Sequence, residues 1–142
     1  MSQFLCPHCK KNLNSADRKQ VELKGFLSGD HFEFSFPIYL PAELGVYGAK
    51  FPESLKLEKG AVVEFRCPSC NFNLTIPEVP RHAFVLMQDE SQENFAVVFN
   101  RVFGEHSSFQ FDLQRHQLLA AYGENIDSYR EDFNRELNFF GC

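Results

Sequence analysis

The sequence predicts an α+β fold, mostly β, and three observations predict it. Two Cys-Pro-x-Cys pairs, Cys6-Pro7-His8-Cys9 and Cys67-Pro68-Ser69-Cys70, frame an interval patterned as strands. Beyond Pro80, short apolar runs alternate with turn residues, as in a β-meander. Near the C-terminus, Tyr129, Phe133, Leu137 and Phe140 recur at helical spacing. The 142 residues suffice for one ordinary domain or two small subdomains sharing a core. We read residues 1–76 as a cysteine-framed β domain with a long insertion and residues 81–142 as an acidic α+β region. Pro77-Glu78-Val79-Pro80 marks the boundary between them.

Taken in order, residues 10–20 are polar and read as a loop or short helix. Residues 21–27 read as a strand that ends at the turn Ser28-Gly29-Asp30. Phe32, Phe34, Phe36 and Ile38 alternate with polar positions and with Pro37, the pattern of an edge strand with one buried face. Residues 41–48 and Phe51-Pro52 form a loop region. Lys59-Gly60 turns the chain into a strand over 61–66 that delivers Cys67. Phe72, Leu74 and Ile76 alternate on the strand leaving it. Further strands are expected over 83–87 and 95–103 around a polar turn, and again at Phe109 and Phe111. Residues 117–122 suit either a strand or a short helix. The C-terminal helix has Asn125 or Asp127 available as N-cap and Gly141 as its stop, and it is too short to stand alone. No internal repeat extends beyond the two cysteine pairs.

Two thiolates two residues apart can face one ion, and two such pairs complete a tetrahedron of soft ligands. Cys6, Cys9, Cys67 and Cys70 are therefore the expected ligands of one structural zinc ion, a closed site with no open position. The interval of 57 residues between the pairs exceeds the usual spacing, so the metal would clamp the ends of a long insertion. Iron could occupy the same cage. Electron-transfer sites of that kind place Gly after the second cysteine, where this chain has Lys10 and Asn71; Lys enters a left-handed turn poorly, which favours zinc. Cys-Pro-His-Cys also matches the active site of some thiol oxidoreductases. That chemistry needs a strand and a helix N-terminus around the first cysteine, and only five residues precede Cys6. His8 reads as an exposed neighbour of the site and Cys142 as a free thiol. Glu105-His106 beside Gly104 is the one other polar constellation, and a turn explains it equally well.

The formal net charge is -5, all of it carried by residues 81–142. Four thiolates and one dication would take the total to about -7. With no basic run, general nucleic-acid binding and an anionic membrane surface are both disfavoured. The polar first twenty residues do not read as a secretion signal, and no apolar stretch approaches the length needed to span a bilayer. An odd number of cysteines, four of them at metal spacing, fits a reducing cytoplasm. The 17 Phe residues imply a Phe-rich core, with any surplus free to line a groove. No phosphate-cradling glycine loop, nucleophile elbow or paired-His motif is present.

At Cys6, Pro7, Cys9, Cys67, Pro68 and Cys70 the sequence resembles the zinc-ribbon superfamily, and in particular bacterial proteins of unassigned role with paired Cys-Pro-x-Cys motifs. The resemblance covers residues 1–76 and implies a split zinc ribbon, with the second pair on the turn of a hairpin. The expectation is a zinc-stabilised, non-catalytic cytoplasmic interaction module that binds a protein partner or itself. One alternative is a nucleic-acid-binding ribbon using the Lys-bearing half, from Lys10 to Lys59. A further alternative is an enzyme whose site gathers around His106, Glu105 or Arg101 in the C-terminal half.

Overall fold

A computed structural model describes residues 3–17, 19–28, 33–43, 46–52, 55, 57–115 and 117–129. These residues are all β, so the expected α+β class is corrected. Eight strands form two antiparallel sheets: β1 (Gln3–Leu5), β2 (Gln20–Ser28), β3 (Glu33–Pro41), β4 (Glu64–Arg66), β5 (His82–Gln88), β6 (Asn94–Asn100), β7 (Ser108–Asp112) and β8 (Gln117–Tyr122). One sheet runs β1-β5-β6-β7-β8 and the other β3-β2-β4. The start of the expected C-terminal helix is a single 3-10 turn, Ile126–Ser128. Asn125 does not cap it, because its side-chain oxygen accepts the His106 N–H at 2.8 Å. Tyr129 is drawn into the core, its ring against His82 and its hydroxyl on Glu105. Phe133, Leu137, Phe140, Gly141 and Cys142 lie outside the described residues.

The inner faces of the two sheets meet in one core. Leu23, Ile38 and Phe65 from the smaller sheet pack with Phe4, Val85, Met87, Phe95 and Val97 from the larger. Residues on both sides of Pro77–Pro80 thus share this core. The outer face of the larger sheet carries a second cluster, in which Phe84, Ala96, Val98, Phe109 and Phe111 are covered by Ile76, Val79 and Tyr129. Burial on both faces explains why β5 and β6 read as nearly unbroken apolar runs although they are antiparallel. Pro37 fits because β3 is the edge of its sheet. Two expected strands are shorter in the fold. Residues 61–63 leave β2 and bond to residues 101–103, and residues 72–76 make only the isolated bridges Arg66↔Asn73 and Thr75↔Ala83. The ambiguous segment 117–122 is strand β8.

A duplication runs through this architecture and extends well past the cysteine pairs. Residues 4–14 (FLCPHCKKNLN) align with 65–75 (FRCPSCNFNLT), with Phe, both Cys, Pro, Asn and Leu in common. The hydrogen bonds repeat as well. Leu13 N–H bonds to Phe4 C=O at 2.7 Å and Leu74 N–H to Phe65 C=O at 2.9 Å; the bridge Leu5↔Asn12 has its counterpart in Arg66↔Asn73. Each copy then feeds a long strand, β2 or β5, and the strand partners are exchanged between copies. β1 of the first copy pairs with β5 of the second, and β4 of the second pairs with β2 of the first. The registers match: Phe4 lies opposite Met87, and Phe65 lies opposite Gly25, the equivalent position. Each half supplies a strand that the other half's sheet needs.

Candidate metal centre

In each copy a short strand ends at a cysteine, and the chain turns back within four residues. Proline fixes the backbone after Cys6 and Cys67, at the start of the turn. The amides of Lys10 and Asn71 close it by bonding to the Cys6 and Cys67 carbonyls, each at 2.9 Å. Both closing residues are left-handed, with φ of 64° at Lys10 and 64° at Asn71. The knuckle imposes the conformation on Lys as well as Asn, so the turn forms despite its cost to Lys. Lys10 is partly compensated by its own ammonium group, which donates to the Pro7 carbonyl at 2.7 Å. The backbone of the knuckle does not distinguish zinc from iron.

The exchanged pairing brings the two turns together. The four Sγ atoms of Cys6, Cys9, Cys67 and Cys70 all lie within 4.8 Å of one another. Cys6 and Cys70 Sγ are 3.7 Å apart, and so are Cys9 and Cys67 Sγ. A Zn–S bond of about 2.3 Å sets sulfur separations in a regular tetrahedron near 3.8 Å, so this donor set fits a tetrahedral ion. Backbone amides point at the buried sulfurs, from His8 (3.3 Å) and Cys9 (3.4 Å) to Cys6 and from Ser69 (3.4 Å) to Cys67. Such donors offset thiolate charge and are the outer support that a metal–thiolate centre requires.

Burial divides the four cysteines into two kinds. Cys6 and Cys67 belong to the core, whereas Cys9 is half-buried and Cys70 exposed. Desolvation pushes the Cys6 thiol up to about 12 and raises Cys67 as well. Cys9 moves the other way, to about 7, chiefly through the Lys11 amide. A thiol-exchange enzyme needs its first cysteine activated, and Cys6 is shifted in the opposite direction and followed by a turn rather than a helix.

The other singled-out residues are engaged separately, although Arg101, Glu105 and His106 border one cavity. His8 is exposed and stacks on Phe72 at 4.9 Å. His106 stacks on Tyr47 at 4.3 Å and meets Glu124 at 3.3 Å. Glu105 turns instead to Tyr129, Asn100 and Arg81. Hydrogen bonding from Tyr129 and Asn100, together with Arg81, keeps its carboxyl below the usual range. Arg101 binds the carbonyls of Val63 and Pro80. His82, which the sequence reading takes only as one of several dispersed histidines, is fully buried and bonds to Ser107 Oγ at 2.8 Å. Burial pushes its pKa down to about 4, so it is neutral in the fold. Both partners are sealed from solvent, so the pair is a structural tie.

The described geometry defines an all-β protein with a four-cysteine centre built from two copies of one knuckle. No family model matches the chain, and neither a search of curated proteins nor one of solved structures returns a match. Among the described residues, no helix is long and apolar enough to cross a membrane.

Proposed function

We propose that Cys6, Cys9, Cys67 and Cys70 hold one zinc ion and that the protein is a non-catalytic, cytoplasmic binding module. The observation that carries the metal reading is the sulfur spacing, which suits a closed tetrahedron with no position for a substrate. Four thiolates are also the donor set that zinc favours, and iron is the second candidate. The ion would fasten the exchanged strands of the two halves.

A binding role is supported by how Glu105, His106 and Arg101 are engaged: they share the wall of one cavity, but each is held by separate partners, which gives the enzyme reading no acid–base pair. No Phe whose side chain is described is exposed. Among the described residues the exposed large apolar side chains are Val46, Val62, Leu118 and Leu119, and the last two sit on β8, the edge of the larger sheet. An edge with exposed leucines, unpaired among the described residues, suits a protein partner or a second copy. Nucleic-acid binding remains disfavoured by net charge. Elemental analysis of the untagged protein should find one zinc per chain. Native mass under reducing conditions, and capture of partners from the host, should show association that Leu118→Lys/Leu119→Lys weakens. A metal-free folded chain would sink the first half of the reading. A strict monomer that recovers no partner would sink the second.

A further inference from the structure

Between the inner faces of the two sheets the core is hollow. A cavity of about 460 Å³ is bounded by Phe4, Leu23, Ile38, Phe65, Val85 and Val97, all of them core side chains. Protein interiors are packed to near-crystalline density, and apolar side chains facing a gap lose contacts they would otherwise make. This volume lies within the roughly 300–1,000 Å³ range of small-molecule sites. Tyr47, in the wall, is held in place: its Oη bonds to Ser108 Oγ at 3.1 Å and to the Tyr122 carbonyl at 3.0 Å, with its ring on His106. The hollow is thus a built feature of the fold.

Charge at the wall indicates what enters. Arg101 lines the cavity and is half-buried, and its Nε and Nη1 are spent on the Val63 and Pro80 carbonyls. Among the described residues no carboxylate lies within 4.0 Å of its guanidinium, and Nη2 carries no hydrogen bond. Glu64, the nearby carboxylate, is taken by Arg66. Of the two carboxylates in the wall, Glu105 is taken by Tyr129, Asn100 and Arg81, and Glu43 is exposed to solvent. A half-buried cation with only carbonyl partners is short of negative charge, and a carboxylate is the planar anion that a guanidinium best accommodates.

We propose that the cavity binds a medium- or long-chain monocarboxylic acid, its alkyl body between the sheets and its carboxylate on Arg101. This site is separate from the metal centre, and either can fail without the other.

The test uses zinc-loaded full-length protein with dodecanoic acid and 1-dodecanol as matched probes, below their aggregation limits, followed by calorimetry and thermal shift. The expected result is one acid bound per chain, at least tenfold tighter than the alcohol. Arg101→Met should bring the acid to the level of the alcohol, and Arg101→Lys should restore part of the difference. Val97→Phe, which fills the cavity, should abolish binding of both. Equal affinity of wild-type protein for acid and alcohol would overturn the assignment to Arg101, even if the Arg101 variants fail to fold. Absence of binding, or binding indifferent to Val97→Phe, would overturn the cavity site itself.

Discussion

The two knuckles are near copies in sequence and in backbone hydrogen bonding, yet their surroundings differ. The first copy feeds β2 in a three-stranded sheet; the second feeds β5 in a five-stranded one with cores on both faces. Phe4 packs opposite Met87, whereas Phe65 lies opposite Gly25, and a side chain on Gly25 would strike the Phe36 ring at 2.5 Å. The equivalent of His82 in the first copy is Gln20: their carbonyls accept the matching bonds from Ile76 and Ser15. What stays common to both copies is the turn that carries the sulfurs, with the Phe two residues before it and the Asn-Leu three residues after it. That pattern locates the shared constraint at the centre where the copies meet. The strands beyond are free to diverge to suit separate cores.

The largest test of this equivalence is ligand removal. Cys6→Ser and Cys67→Ser should each lose the metal and the cooperative fold, because structural zinc sites contribute on the order of 10 kcal/mol, comparable with the whole stability of a domain. Cys70→Ser, at the exposed position, should weaken the centre without abolishing it. Near-ultraviolet circular dichroism and metal content report both. If Cys6→Ser stays folded while Cys67→Ser does not, the copies are not equivalent.

Next come the two phenylalanines. Phe4→Ala and Phe65→Ala each delete a buried ring and should cost about 3 kcal/mol by urea unfolding of the metal-loaded protein. A cost confined to one of them would show that only one half supports the common core.

His82 sharpens the difference between copies. Its folded pKa, near 4, is below the unfolded value of about 6.5, so the unfolded chain takes up the proton first as pH falls. The stability held by neutral His82 is therefore complete above about pH 6.5 and is lost toward pH 4, up to about 3 kcal/mol. His82→Gln, which installs the residue of the first copy, should flatten this part of the pH dependence. An unchanged slope between pH 7 and pH 5 would show that His82 is not its source.

The smallest effect concerns the left-handed turn residues. Lys10→Gly should stabilise by about 1 kcal/mol, since Lys bears a steric cost in that conformation. Asn71→Gly should change little, because Asn tolerates it. Equal responses would mean that the Lys10–Pro7 hydrogen bond already offsets the strain.

The four-cysteine cluster was legible in the sequence because Cys-Pro-x-Cys is a local signal: four residues suffice to make the turn. Most strands were legible too, since their alternation is also local. Two features were not. The exchange of β1 and β4 is a matter of long-range pairing that no window of residues reports, although the shared Phe, Asn and Leu flanking the cysteines advertise the duplication. The helix expected from Tyr129 onward rested on periodicity and falls outside the described residues beyond Tyr129; ahead of it, Asn125 and Tyr129 make tertiary contacts rather than a helical start. The hollow between the sheets could not be read either, because Phe4, Val97 and their neighbours carry the same pattern whether they fill a core or line a cavity.

The most direct test of the central claim is X-ray absorption at the zinc edge on the untagged, reduced protein. One zinc per chain surrounded by four sulfurs at about 2.3 Å is the result expected when both copies of the knuckle close on one ion. A shell with only two sulfurs, completed by nitrogen or oxygen, would contradict it, and so would folded protein without metal and with Cys6 and Cys9 joined as a disulfide.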